Sequence, residues 1–454
     1  MPGNRGGSFT FVDLFAGIGG FHAALSGMGG KCVYASEINR NASETYKRNW
    51  GFTASGDLTL DVSSKSINVP EHDVLAAGFP CQPFSKSGLQ LGMEEDRGEL
   101  FWTILSVIER HKPKIVILEN VRNLYGPRHR HEWDAIIYSL RSTGYLVSST
   151  PNVVSPHRIP PNLGGRPQFR ERIFITATHI GALGNYLSPN IGPPDMTTVF
   201  RDWNPKYWNL ETHLPVTASD KSDGTQLTES EIYWIDAWDD FLKSLKRNRR
   251  GEKLAGFPIW AETWKNLSQD EATSSLPKWK QQIIEKNLTL YRENKKVIDD
   301  WSDRWNIFTD KFPPSRRKFE WQAQDLNSVW DAVIQLRPSG IRVKYPNYVP
   351  AAVASNQTSI FGPLKRRLST REVARLQGLP EWFDFSGQSI SNTLKQLGNG
   401  VSIGAIWQVM RAHAYRDQHL LKMTAPKLLS AILKSPEDPT ETLEDLFKRG
   451  STTQ

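Results

Sequence analysis

Cysteine is nearly absent from this 454-residue chain, which carries two, Cys32 and Cys81. Two thiols cannot build a disulfide framework, and they cannot supply a zinc cluster unaided. Long apolar runs are missing as well. No stretch of about 18 apolar residues occurs, so a membrane-spanning helix is excluded. The opening MPGNRGGSFTFVDLFAG has no basic segment followed by a long apolar one, so no secretory leader is expected. These absences point to a cytoplasmic protein with no membrane partner. An acidic surplus is also lacking. The 56 Lys and Arg outnumber the 48 Asp and Glu, for a net charge of +8. That balance admits polyanions as partners without selecting them. What is present is a globular composition, 38% hydrophobic and 23% charged, enough apolar surface to bury a core. At roughly 100–200 residues per domain the length allows about two to four domains.

The first 180 residues alternate short β-branched runs with amphipathic stretches. Residues 9–15, 31–36, 72–77, 114–118 and 172–177 read as strands, with helices from about Phe21 and over 100–110. Such alternation predicts an α/β fold with a doubly wound, mostly parallel sheet. Ligands of these sheets bind outside the carboxyl ends of the strands. Near Ile180 the texture changes. Residues 200–330 hold 11 of the 16 tryptophans, and large aromatics there are expected in a core rather than on bases. Basic clusters at 243–253, with Lys246 and Arg249, and at Arg316, Arg317 and Lys318 are expected to neutralise phosphates. The division read from this is a first domain at 1–186, completed by 391–434. A second, smaller domain takes 187–390, and 435–454 forms a peripheral tail.

Four strand ends carry candidate chemistry. Asp13 to Gly20, DLFAGIGG, lies between a strand and a helix. Glycines there let the backbone approach a cofactor, and the helix start offers free N–H groups. Glu37, 20 residues after Gly17, ends the next strand, where an acid can accept from ribose hydroxyls. A tight turn with a surface glutamate is the competing reading. The third glycine of G-x-G-x-x-G is missing, so an adenosine cofactor without a pyrophosphate fits better than a nicotinamide dinucleotide. Asp57 could meet an adenine amino group or serve as a turn residue. Cys81, within GFPCQPFS at 78–85, follows the third strand among loop formers, so it is a candidate nucleophile. Cys32, inside a strand, reads as a small buried hydrophobe. Residues 86–99 read as a lid or as a long surface loop. Glu119 ends the fourth strand, where partial burial would raise its pKa and suit it to proton transfer; a helix start capped by Asn120 is the alternative. Arg170 and Arg172, two apart, share a face if extended, and could clamp a carbonyl, a phosphate or Glu119. A solvated edge is the plainer reading of R-x-R. His129 and His131 have no ligand pattern around them, so no metal is expected.

Taken in order, DLFAGIGG, Glu37, Gly56-Asp57, GFPCQPFS, ENV at 119–121, QFRER at 168–172, RRLSTREVARLQGLP at 366–380 and QLGNGV at 396–401 closely resemble the DNA cytosine-5 methyltransferases of bacterial restriction-modification systems. The resemblance covers about 9–180 and 366–412, and the interval falls where that family places its variable target-recognition region. It implies a class I, Rossmann-like fold and S-adenosylmethionine as methyl donor, with S-adenosylhomocysteine as product and no metal. By resemblance, Phe15 packs on the adenine, and Ala16, Gly17 and Gly19 approach the methionine part. Glu37 with Ile38 holds the ribose, and Asp57 with Leu58 the adenine. Pro80, Leu100, Asn399, Gly400 and Val401 complete the pocket, Gly400 standing where the family often has serine. Cys81, Glu119, Arg170 and Arg172 form the implied catalytic set. Cys81 adds to C6 of a flipped-out cytosine, Glu119 serves N3, Arg172 contacts the base carbonyl and Arg170 orders the loop. Gln82, Ser85, Ser87 and Gln168 are the implied DNA contacts; Arg337, Arg342 and Lys344 in RPSGIRVKYP, outside the resemblance and near the return to the catalytic domain, are read from the residues as able to reach base edges or backbone. Double-stranded DNA is the implied partner of a monomer, with a cognate restriction endonuclease acting separately, in a bacterial or phage-infected cytoplasm. A tRNA-modifying branch shares these motifs but has a short region before its counterpart of RRLSTREVARLQGLP. Here Arg172 and Arg366 stand 194 positions apart, which favours a DNA-reading domain. A catalytically silent DNA-binding protein would have no need of intact Cys81, Glu119 and Arg172.

Overall fold

The structure is a computed structural model that describes residues 7–63, 66–80, 99–181, 191–214, 224–248, 256–265, 275–352 and 357–451. Its larger sheet contains β1 (Phe9–Leu14), β2 (Gly30–Ser36), β3 (Val74–Gly78), β4 (Ile115–Val121), β5 (Tyr145–Val147) and β6 (Asn152–Val154). The two-residue β7 (Gln168–Phe169) stands outside it, and β8 (Arg172–His179) completes it. The order is β2-β1-β3-β4-β8-β5, with β6 also on β8. The pairs among β1 to β4 are parallel, and β8 runs antiparallel to β4, β5 and β6. One reversed strand in an otherwise co-directional sheet is the mostly parallel arrangement expected.

The sheet is covered on both faces, which is why its strands are apolar throughout. Along β4, Ile115 and Ile117 enter one core while Val116 and Leu118 enter the other. Helices α1 (Gly20–Gly27) and α2 (Arg40–Trp50) pack on the first face, and α3 (Glu99–His111) and α4 (Arg130–Ser142) on the second. The first face is completed from far along the chain by α5 (Thr370–Gln377), α6 (Ile390–Asn399) and α7 (Ile403–Arg416).

A second core lies under a six-stranded sheet of β9 (Ile259–Trp260), β10 (Lys318–Gln322), β11 (Val333–Arg337), β12 (Gly340–Lys344), β14 (Ile360–Phe361) and β15 (Arg366–Arg367). Between β12 and β14, β13 (Val349–Pro350) leaves this sheet to pair with β7. Helices Glu229–Asn248, Lys278–Glu293 and Lys295–Arg304 cover one face, and Trp238 stacks on Phe319 with ring centres 4.6 Å apart. Six of the 11 tryptophans, at 208, 238, 264, 301, 321 and 330, are buried.

Three expectations about organisation need correction. Leu368, Val373, Leu376, Leu379 and Phe383 belong to the first core, so the large unit resumes well before 391. A capping box, Ser369 with Glu372, starts α5 there. Met196, Leu210 and Leu214 also pack in the first core rather than the second. The stretch from 435 is not peripheral. Leu443 is buried in the first core, and the carbonyls of Pro436 and Glu437 accept from Trp407 and Gln408. Leu443 and Leu446 are three apart on helix Thr440–Ser451, which gives that polar segment one apolar stripe.

Candidate active site

The carboxyl ends of β1 to β4 open on a cleft of about 440 Å3. Phe15 to Ile18 follow β1, Glu37 to Asn39 follow β2, Gly78 to Pro80 end β3 and Glu119 to Val121 end β4; all border it. Arg172, at the start of β8, and Asn399 to Val401, from the end of α6 into the turn before α7, complete the wall. This is the strand-end position that the sheet topology predicts for a ligand.

The loop after β1 is conformationally unusual. Phe15 has φ +57°, a left-handed conformation that a side chain rarely adopts and that costs about 1–3 kcal/mol. Gly17 follows at φ +56°, with open space where a Cβ would stand. Its N–H donates to Glu37 Oε2 at 2.8 Å, and the N–H of Asn39 donates to Oε1 at 2.7 Å. Two backbone donors therefore fix the Glu37 carboxylate at the cleft wall. Gly19 has a different task. A Cβ there would stand 2.1 Å from Trp50 Nε1, which donates to the Ile18 carbonyl at 2.9 Å. Beneath the loop, Asp13 is fully buried and accepts from the His22 N–H at 3.2 Å; burial pushes its pKa well above the usual carboxylate range. His22 stacks on Trp50, and burial lowers its pKa to about 3, so the ring is neutral.

At the end of β4, Asn120 donates to the Phe79 carbonyl at 2.9 Å and accepts from the Val121 N–H at 2.8 Å. It ties the β4 end to the segment that precedes Cys81. Glu119 is 7% exposed. Arg172 Nε lies 2.8 Å from its Oε1, in ion-pair contact but without the alignment of a hydrogen bond. Burial raises the Glu119 pKa, and the cations Arg172 and Arg170 oppose the rise without cancelling it. A carboxyl whose pKa is raised beside an open cleft is suited to proton transfer.

Arg170 does not share that task. It is buried, and its guanidinium donates to the carbonyls of Ala352, Gly398 and Gly400 at 2.8, 2.8 and 2.6 Å. Burial lowers its pKa to about 9. Placed in the catalytic set as the residue that orders the loop, it holds the turn that carries Asn399 and Gly400. Extended alternation fails to relate it to Arg172 because β7 ends at Phe169 and β8 begins at Arg172. Gln168 is also corrected: it is fully buried, and its Oε1 accepts from Gln377 at 3.3 Å, so it offers DNA no surface. The pairing of β7 with β13 places it inside.

Other expected residues fall around the cleft unevenly. Ile38, 75% exposed, borders it, as do Ala16 and Pro80. Asp57 does not; its Oδ1 caps the one-turn helix Leu58–Asp61 by accepting from the Thr59 N–H and hydroxyl at 2.9 and 2.8 Å. Leu58 is buried in the second face's core, and Leu100 starts α3 outside the cleft wall. Cys81, Gln82, Ser85, Ser87 and Arg249 lie outside the described residues. Arg337, Arg342 and Lys344 stand on the small sheet. Two expected phosphate contacts are otherwise engaged. Lys246 Nζ donates to the Leu326 carbonyl at 2.5 Å, and Arg317 is buried against Glu262 and the carbonyls of Phe312 and Thr309. The sequence reading missed Asn392, Lys395 and Gln396, which border the cleft with Asn399 from one face of α6. Their spacing of three, four and seven is helical and was there to be read.

The family model for C-5 cytosine-specific DNA methylase matches residues 9–414. Type II methyltransferase M.AluI from Cellulosimicrobium cellulans is 43% identical over 507 aligned residues, covering 95% of this chain and 97% of that protein. Type II methyltransferase M.HpaII from Haemophilus parainfluenzae is 42% identical over 172 residues, covering 38% of this chain and 46% of its own. Among solved structures, a putative DNA modification methyltransferase encoded within an E. coli prophage aligns with a TM-score of 0.49 at 17% identity, over 90% of this chain and 99% of its own.

Proposed function

Because this chain belongs to the C-5 cytosine-specific DNA methylase family, we propose that the strand-end cleft methylates C5 of a cytosine flipped out of one specific duplex sequence. The chain is a DNA cytosine-5 methyltransferase. The observation that carries the finer reading is the buried Glu119–Arg172 pair, which faces the same cleft as the Phe15–Gly17 loop, Glu37 and Pro80. Pro80 is the residue before Cys81.

The cleft suits an adenosine cofactor. Phe15 and the exposed Ile38 give it apolar walls for a flat ring, and the fixed Glu37 carboxylate presents acceptors for hydroxyls. The open space at Gly17 leaves room beside the loop. When bound there, S-adenosylmethionine supplies the methyl group. The chain's own residues prepare the base. The Cys81 thiolate forms a bond to C6, and the C5–C6 π electrons move toward C5 and N3. Glu119 provides the proton at N3, so charge arriving in the ring is stabilised. Arg172 orients Glu119 and reaches the base carbonyl. After C5 is methylated, the C5 proton leaves to a base or to solvent, the sulfur–C6 bond breaks to give back the thiolate, and the N3 proton returns to Glu119 as the aromatic ring is restored. None of this can occur inside a stacked duplex, so the base must flip, at a cost of about a few kcal/mol.

The enzyme is read as acting as a monomer, with the cognate endonuclease separate. No helix among the described residues is long and apolar enough to cross a membrane, which suits a cytoplasmic enzyme of this kind. Bisulfite sequencing of DNA from cells expressing the protein tests the reading. One short sequence should be methylated at a single cytosine position nearly to completion, and unmodified DNA would refute the assignment.

A further inference from the structure

The small sheet has two unlike faces. Glu320 lies opposite Arg342, and Gln322 opposite Lys344; on the other side Gln335 faces Arg342 and Arg337 faces Gly340. Phe319, Trp321, Ile334, Ile341 and Val343 point the other way, into the second core. By the two-residue period of a strand, Lys318, Glu320, Gln322, Gln335, Arg337, Arg342 and Lys344 share the remaining face. It holds four cations and one acid, and the acid stands between two of the cations. Glu320 Oε1 accepts from Arg337 Nη2 at 3.0 Å, and Oε2 accepts from Arg342 Nε at 2.6 Å. Arg337 Nη2 donates also to Ser339 Oγ at 2.7 Å, and Arg316 donates to the Arg337 carbonyl at 2.8 Å. Even so, the side chains of Arg337 and Arg342 stay 27% and 29% exposed. They are fixed and accessible together. At the edge of this face the Lys344 ammonium lies 5.7 Å from the ring centre of Phe169, three residues before Arg172. The polar face therefore adjoins the segment that leads into the cleft.

We infer that this face reads base edges beside the target cytosine, and that Glu320 is the positioning residue that sets Arg337 and Arg342 for a guanine. The inference rests on the methyltransferase reading above and deepens it. A surface built only to hold phosphates gains nothing from a glutamate at its centre, since the acid repels the backbone. A surface that reads bases gains from it. Guanine O6 and N7 accept a planar fork of two N–H groups, and an arginine held in place loses less rotamer freedom on binding. Gln322 and Gln335 beside them present the donor and acceptor pair that suits adenine.

The test compares methylation rates on the duplex that the wild type prefers and on duplexes in which each neighbouring base pair is replaced in turn. The variants are Glu320→Gln, which keeps the shape, and Arg342→Lys, which keeps the charge and removes the fork. Melting temperature and cofactor affinity at wild-type values show that fold and cleft are intact. Both variants should lower the preference for G·C at the same neighbouring position by about tenfold or more, while the salt dependence of DNA binding stays unchanged. An equal loss on every duplex, with a shallower salt slope, would make the face a phosphate contact and overturn the inference. A wild type that methylates no duplex would overturn the underlying reading and this one with it.

Discussion

The cleft of the large sheet and the polar face of the small sheet both join a glutamate to arginine, and they differ in how deeply the pair is hidden. In the cleft the acid is the buried member: the Glu119 side chain is 8% exposed and that of Arg172 is 19%. Burial holds the Glu119 pKa up against the pull of two cations, which suits the acid to proton transfer. On the small sheet one carboxylate, 19% exposed, is shared by two arginines that are 27% and 29% exposed. Partly exposed ion pairs of that kind contribute only about 0–1 kcal/mol, so stability is a poor account of them. What they fix is direction. The same two residue types thus serve proton transfer when the acid is enclosed and recognition when the cations are displayed.

The comparison is broken most sharply by removing each acid in turn. Glu119→Gln should slow single-turnover methyl transfer by about 10²–10⁴-fold, while leaving the order of preference among sequences as in the wild type. Glu320→Gln should do the reverse. A Glu119→Gln enzyme within a few-fold of the wild-type rate would remove the proton role. A smaller effect tests the electrostatics. Because the Glu119 pKa is raised, the protonated carboxyl persists to higher pH than an ordinary glutamate, and the chemical step should decline as pH rises through that pKa. Arg172 is among the causes that lower it, so Arg172→Gln should shift this alkaline limb to higher pH as well as slow the reaction. A limb that stays in place, or moves down, in a pH profile of single-turnover rates would mean that Glu119 does not own it.

The two regions also differ in how far they could be read in advance. In the large sheet, function sits at strand ends, and each strand is a short apolar run closed by a polar or glycine residue. Glu37, Glu119 and the loop after β1 could therefore be placed from local pattern alone, and the structure brings them to one cleft. The small sheet offered no such signal. Its strands are two to five residues long and are separated by helices of the same unit, so the alternation that marks the large sheet is lost. Burial corrected other readings. Arg170, Gln168 and Arg317 are polar in sequence but sit inside the protein, where they bond to carbonyls, an amide or an acid. A hydrogen-bond partner 182 positions away, as Ala352 is from Arg170, leaves no trace in local pattern. Asp57 shows the converse, a turn residue whose local capping bond was the plainer reading.

The central claim is that Cys81, one residue beyond the cleft wall at Pro80, attacks a cytosine whose N3 is served by Glu119. A duplex carrying 5-fluorocytosine at the methylated position tests it most directly, because no C5 proton can leave and the sulfur–C6 bond cannot be released. Wild-type protein incubated with that duplex and S-adenosylmethionine should give a complex that survives denaturing electrophoresis. Cys81→Ser should give none while still binding the cofactor. No adduct with the wild type, or an adduct that persists in Cys81→Ser, would contradict the account.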